Sequence, residues 1–103
     1  MTKVLYIVDV RRRAALHAAL VQQQSRRVGL GETSFRLYVD DNARHIGYVM
    51  LDWESLKSDQ AFLHSEDSKK LVAEWPIEKI LSAIPLSDVG TMLEQIAGDK
   101  GNA

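Results

Sequence analysis

The chain contains no cysteine, which excludes disulfides, iron–sulfur clusters, thiolate zinc sites and catalysis by a thiolate. A chain without thiols fits a reducing compartment, and a cytoplasmic protein is the expectation. Prolines number two and glycines six in 103 residues, so there is no Pro- or Gly-rich linker, and no low-complexity segment or internal repeat is found. Neither sign of charge dominates: 13 Lys and Arg stand against 14 Asp and Glu, a formal net charge of −1. Nothing in that balance points to nucleic acid or an anionic membrane as partner. The local exception is Arg11, Arg12 and Arg13, which reads either as a solvated turn or as an anion contact at the start of a helix. Long hydrophobic runs are also missing. The stretch from Val4 to Val8 is far shorter than the roughly 20 residues of a membrane span, and too short for a signal segment.

What is present fits one domain. A chain of 103 residues buries roughly 65% of its unfolded surface on folding, enough for a single core. Val4 to Val8 is β-branched and aromatic and predicts a strand buried on both faces. Residues 11 to 28 change period: Leu16, Ala19 and Leu20 share one stripe, and Gly29 with Gly31 supplies the stop. From Thr33 the pattern alternates, with Phe35, Leu37 and Val39 on one side and Ser34, Arg36 and Tyr38 on the other. After the turn "DDNAR", His45 to Trp53 places Val49, Leu51 and Trp53 on one face and Ile46, Tyr48 and Met50 on the other. These two strands predict an antiparallel hairpin.

The stretch "LDWESLKSDQAFLHSEDSKKL" then leaves the sheet at Trp53. Ser55 is a suitable N-cap for a helix through Leu63, and Ser65 repeats the device, with Glu66 and Asp67 where a helix start favours negative charge. Pro76 forbids continuation beyond Trp75. Ile77 to Leu86 predicts a last strand, with Pro85 marking an edge or exit position. Val89, Met92, Leu93 and Ile96 predict a short C-terminal helix, stopped by Gly98. The expected single domain spans residues 1–98, with 99–103 as a frayed tail.

The order β, α, β, β, α, β predicts an α+β, ferredoxin-like fold, a four-stranded antiparallel sheet with its helices on one face. Yet the first and third strands, and less cleanly the fourth, are apolar on both sides. The face without helices needs another cover, and the expected cover is a second copy, giving a dimeric α/β barrel closed sheet to sheet.

The segment "GYVMLDWESLKSDQAFLHSEDSKKLVAEW", an apolar strand ending in Trp followed by a Ser-capped helix and a Ser-Glu-Asp restart, resembles the antibiotic biosynthesis monooxygenase group of dimeric α/β barrels. "GLGETSFRLYVDD" is similar to the second strand of small cyclase-like or monooxygenase-like members. The resemblance runs over residues 4–86 and specifies fold better than chemistry. It implies either a cofactor-independent monooxygenase or cyclase acting on an aromatic or polyketide-like compound, or a non-catalytic dimeric barrel that binds a small apolar ligand or stabilises a partner. Aligned on the same Trp and Ser steps, the heme-degrading members carry a pocket tryptophan where this chain has Phe62 and an iron-ligating histidine where it has Val72. The resemblance therefore implies that heme is not a substrate, and no cofactor is expected.

Motifs for covalent and nucleotide chemistry are absent: there is no G-x-S-x-G, P-loop or dinucleotide-binding glycine pattern. His17, His45 and His64 fall on separate elements without metal-ligand spacing, so no metal is expected. The first helix holds the remaining lead. Its stripe of Leu16 and Leu20 continues into Gln23 and Arg27, with His17 and Gln24 beside it. Either the helix end emerges into solvent or it walls a pocket closed by the sheet. Trp53 is either a stacking wall of that pocket or a core residue. Tyr38 and Tyr48 are candidate donors to a phenolate or enolate, and His17 is the candidate base. Each of these has an equally good structural reading.

Overall fold

In the computed structural model, which describes residues 2–87, the first strand, expected to be buried on both faces, is buried on one and half-buried on the other. β1 (Thr2–Asp9) sends Thr2, Val4, Tyr6 and Val8 inward, and it is followed by α1 (Arg13–Val28), β2 (Glu32–Val39), β3 (Ile46–Trp53), α2 (Leu56–Leu63), α3 (Glu66–Ala73) and β4 (Lys79–Ser87). The strands form one antiparallel sheet in the order β2-β3-β1-β4. This is the expected α+β ferredoxin-like fold, with the second helix broken in two. The short helix expected around Val89 to Ile96, and the tail after it, lie outside the described residues.

The break between α2 and α3 follows from two serine caps. Ser55 Oγ accepts from the Ser58 amide at 3.1 Å, and Ser65 Oγ accepts from the Ser68 amide at 3.0 Å. Each cap satisfies amides that a helix start leaves without partners. Between α1 and β2 the reversal falls on Gly31, at φ 110°. A Cβ there would also stand 2.8 Å from Ser58 Oγ, so only glycine fits on both counts. Gly29 is the C-cap that ends α1, with a right-handed backbone at φ −60° and ψ −20°.

The core lies between the sheet and the helices. Val4, Val8, Leu16, Leu20, Val49, Leu51 and Trp53 are fully buried, and Phe62, Leu71 and Trp75 nearly so. In register, Val4 stands against Leu51 and Tyr6 against Val49 across the β1–β3 pair. The residues between them, Leu5, Ile7, Ile46, Tyr48 and Met50, point to the face opposite α1, α2 and α3, where no helix lies among the described residues, and are only half-buried. Ile84 and Leu86 of the edge strand β4 extend that apolar face. Pro85 sits in this edge strand, where a missing amide donor is tolerated.

Candidate functional site

The polar end of the α1 stripe is buried, and it finds its partners inside the protein. The Gln23 amide donates to the Leu71 carbonyl at 3.0 Å, and its oxygen accepts from Trp75 Nε1 at 2.9 Å. Arg27 is wholly enclosed; Nε donates to Glu32 Oε1 at 3.0 Å and Nη2 to the Leu20 carbonyl at 2.8 Å. Its guanidinium also lies 5.3 Å from the centre of the Phe35 ring. Neither expectation for this stripe, solvent or pocket wall, describes Gln23 and Arg27. They tie α1 to the Leu71–Trp75 segment and to the start of β2. Burial pushes the Glu32 carboxyl up in pKa, and the attraction of Arg27 offsets that only in part.

The other predicted residues are dispersed. His17 is exposed, its ring 6.0 Å from that of Phe35, and Gln24 is half-buried. Tyr38 and Tyr48 are paired across β2 and β3 on the sheet face opposite α1, α2 and α3. There the Tyr38 hydroxyl accepts from Arg36 at 3.4 Å. Trp53 is core: fully buried, with its ring 4.6 Å from that of Phe62. The structure therefore does not bring His17, Gln23, Gln24, Arg27, Tyr38, Tyr48 and Trp53 into one site. The tyrosines and the α1 residues lie on opposite sides of the sheet.

Two concavities bear on function. One, of about 670 Å³, is lined by Asp9, Val10, Arg11, Arg13, Arg44 and His45. Arg11 and Arg13 of the arginine run line it, as exposed side chains at an α1 start that has no acidic residue in its first turn. The second, of about 410 Å³, lies between the sheet and the α2–α3 pair, with Tyr6, Leu63, Ser68, Val72, Ile80 and Ala83 in its wall. An apolar cavity with a few placed polar groups is the usual form of a small-molecule site. Both are open to the surface; the second is the more apolar in its lining and the first, though larger, is the more charged. Val72, at the position that the resemblance matches to an iron-ligating histidine, gives this cavity an aliphatic wall.

Of two buried ionisable residues missed in the sequence, Tyr6 lines this cavity and Asp59 does not. Tyr6 packs edge-on against Trp75, with ring centres 5.1 Å apart, and its hydroxyl is pushed up to about 12 by burial and by the charge of Asp59. Asp59, one helical turn before Leu63 on the same side of α2, is fully buried, and neither carboxylate oxygen has a partner. Burial raises its pKa. The Thr2 hydroxyl opposes that shift, but its proton is committed to the Ser55 carbonyl at 3.0 Å. Trp53 Nε1 is likewise buried without a partner. Among the described residues, no group of three or more His, Asp and Glu side chains could hold a metal ion, and no helix is long and apolar enough to cross a membrane.

No family model matches the chain, and no curated protein matches it in sequence. Solved structures do match. A presumed antibiotic biosynthesis monooxygenase of Bordetella bronchiseptica superposes with a TM-score of 0.70 at 15% identity, over 86% of this chain and 97% of the other. One of Chloroflexus aurantiacus gives 0.62 at 20% identity, over 87% and 94%. A dimeric ferredoxin-like protein from an uncultured marine organism gives 0.54 at 14% identity, over 88% and 90%. At these identities the likeness is one of architecture, and it places this chain in the ferredoxin-like fold of the presumed antibiotic biosynthesis monooxygenases.

Proposed function

We propose that the chain works as a homodimer whose helix–sheet cavity takes a small aromatic or polyketide-like molecule for cofactor-independent monooxygenation or cyclisation. The observation that carries this reading is the 410 Å³ cavity, apolar for most of its wall, with Tyr6, Ser68 and Lys69 as polar groups. Chemistry of this kind needs a cavity that excludes water, a base and donors to hold a developing oxyanion. Structures of this fold bear monooxygenase names, which supports the reaction class without identifying a substrate.

The dimer rests on the sheet face opposite the helices. Leu5, Ile7, Ile46, Tyr48, Met50, Ile84 and Leu86 form a continuous apolar surface there, of the kind that oligomers bury. Lys3 and Asp52, paired at 2.9 Å, and Ser34, which donates to Asp52 at 2.7 Å, add a polar border.

A non-catalytic ligand-binding barrel is the second reading. It is favoured by the exposed position of His17, which removes the base expected on α1. Native mass spectrometry of the purified protein, followed by crystals soaked in any compound so identified, tests both. A dimer mass with a small molecule seated beside Tyr6 supports cavity function. A monomer, or a compound bound only elsewhere, overturns it.

A further inference from the structure

We propose that the groove between the end of β1 and the turn before β3 binds a small phosphate monoester through Arg11, Arg13 and Arg44. It shares no lining residue with the helix–sheet cavity, and the inference stands apart from the function proposed for that cavity.

Two segments distant in sequence make this groove. Asp9, Val10, Arg11 and Arg13 come from the link between β1 and α1, and Arg44 and His45 from the turn before β3. The Val10 amide donates to the His45 carbonyl at 2.7 Å. That bond fixes the two backbones side by side and sets the arginines round one concavity of about 670 Å³. Gathered like charges repel unless a counter-charge lies among them. Asp9 is the one acid in the lining, and among the described residues none of the three arginines forms an ion pair with it or with any other carboxylate. Three guanidiniums against one carboxylate leave the lining, His45 aside, with two positive charges, and a phosphate monoester carries about −1.5 to −2 at neutral pH. Its oxygens also match the planar donor fork of more than one arginine, whereas a carboxylate presents a single edge. No side chain caps the start of α1, so its first-turn amides add donors beside Arg13. A concavity of this size holds an organic body as well as the phosphate. An extended polyanion fits less well: Asp40 and Asp41 share the turn with Arg44, and the chain as a whole carries −1, without the broad basic surface that nucleic acids and anionic membranes require.

The test is calorimetric titration of the intact protein with phenyl phosphate at about 0.15 M salt, where distant surface charges are screened. The wild type should bind one molecule per chain, and should bind benzoate at least about tenfold more weakly, because the second charge and the further oxygens are lost. Arg13→Ala and Arg44→Ala should each weaken phenyl phosphate binding by at least about tenfold, the usual worth of a charge-assisted hydrogen bond. Both side chains are exposed, so the fold should survive, with circular dichroism as the check. Arg26→Ala removes an exposed arginine elsewhere, one paired with Glu74, and should change nothing. Val72→Trp, which fills the helix–sheet cavity, should also leave phenyl phosphate binding unchanged. Absence of saturable binding, an equal loss in Arg26→Ala, or a loss in Val72→Trp overturns the proposal. So does tighter binding of a short DNA duplex, or of vesicles containing phosphatidic acid, than of phenyl phosphate.

Discussion

The indole Nε1 of Trp75 donates to the Gln23 side-chain oxygen at 2.9 Å, while the Gln23 amide donates to the Leu71 carbonyl at 3.0 Å. One glutamine on α1 thereby holds the end of α3 and the segment that follows it. Gln23→Leu keeps the volume and leaves two buried groups without partners. It should destabilise the protein by about 2 to 4 kcal/mol, read from urea unfolding as a lower midpoint at unchanged slope.

Arg27 and Glu32 are both fully enclosed and joined by one contact of 3.0 Å. Arg27 Nη1 and Glu32 Oε2 remain without partners, so the pair is imperfectly compensated. Arg27→Met strands the Glu32 carboxylate and should cost about 3 to 5 kcal/mol. The double variant Arg27→Met, Glu32→Leu should recover most of that loss, because two apolar groups of similar volume need no compensation. Thermal melts of the single and double variants check both statements.

The sequence shows the backbone scheme well and the polar interior poorly, and the difference has a physical source. Ser55 and Ser65 act through amides three residues away, so the helix break between them is local information. The two-sided apolar pattern of β1 and β3 is equally local. Asp59, in contrast, reads as an ordinary acid in a helix first turn, where it complements the dipole. Only its spacing to Phe62 and Leu63 marks it as inward-facing. Glu32 and Arg27 are five residues apart, but their burial depends on how β2 meets α1. Gln23 and Trp75 are separated by 52 positions, and no period in a single chain joins them. His17 was a reasonable base by residue type, and the structure leaves it on the exposed side of α1.

Asp59 gives stability a particular pH dependence. An acid whose pKa is higher folded than unfolded takes up a proton on folding between the two values, so stability falls as pH rises through that window. The window opens at the ordinary value of 3.8 and extends upward. Asp59→Asn removes this titration. The variant should be more stable than the wild type at neutral pH by about 1 to 3 kcal/mol, because the amide, though also without a partner, carries no charge to bury. That advantage should shrink as pH falls toward 3.8. Glu32 titrates in the same direction in both proteins, so the difference between their unfolding curves isolates Asp59.

Val49 and Met50 are sequence neighbours on opposite faces of β3. Val49→Glu places a charge in the core and should prevent folding. Met50→Glu places it on the sheet face opposite α1, α2 and α3, where a stable sheet-to-sheet dimer would bury at least about 1,200 Å² in total. That variant should keep the wild-type circular dichroism and run as a monomer in light scattering.

The serine-capped break makes one wall of the cavity from two eight-residue helices, each shorter than the about 12 to 15 residues at which a helix begins to hold itself in water. These two pieces keep their shape only while they rest on the sheet. That wall is therefore the part of the cavity boundary that comes away at least cost. In hydrogen exchange the amides of α2 and α3 should open well before those of β1 and β3, which pair with each other and with strands on either side. A molecule bound beside Tyr6 should slow exchange in the two helices more than anywhere else. The doorway of the cavity would then be its own wall, swinging on the joint at His64 and Ser65.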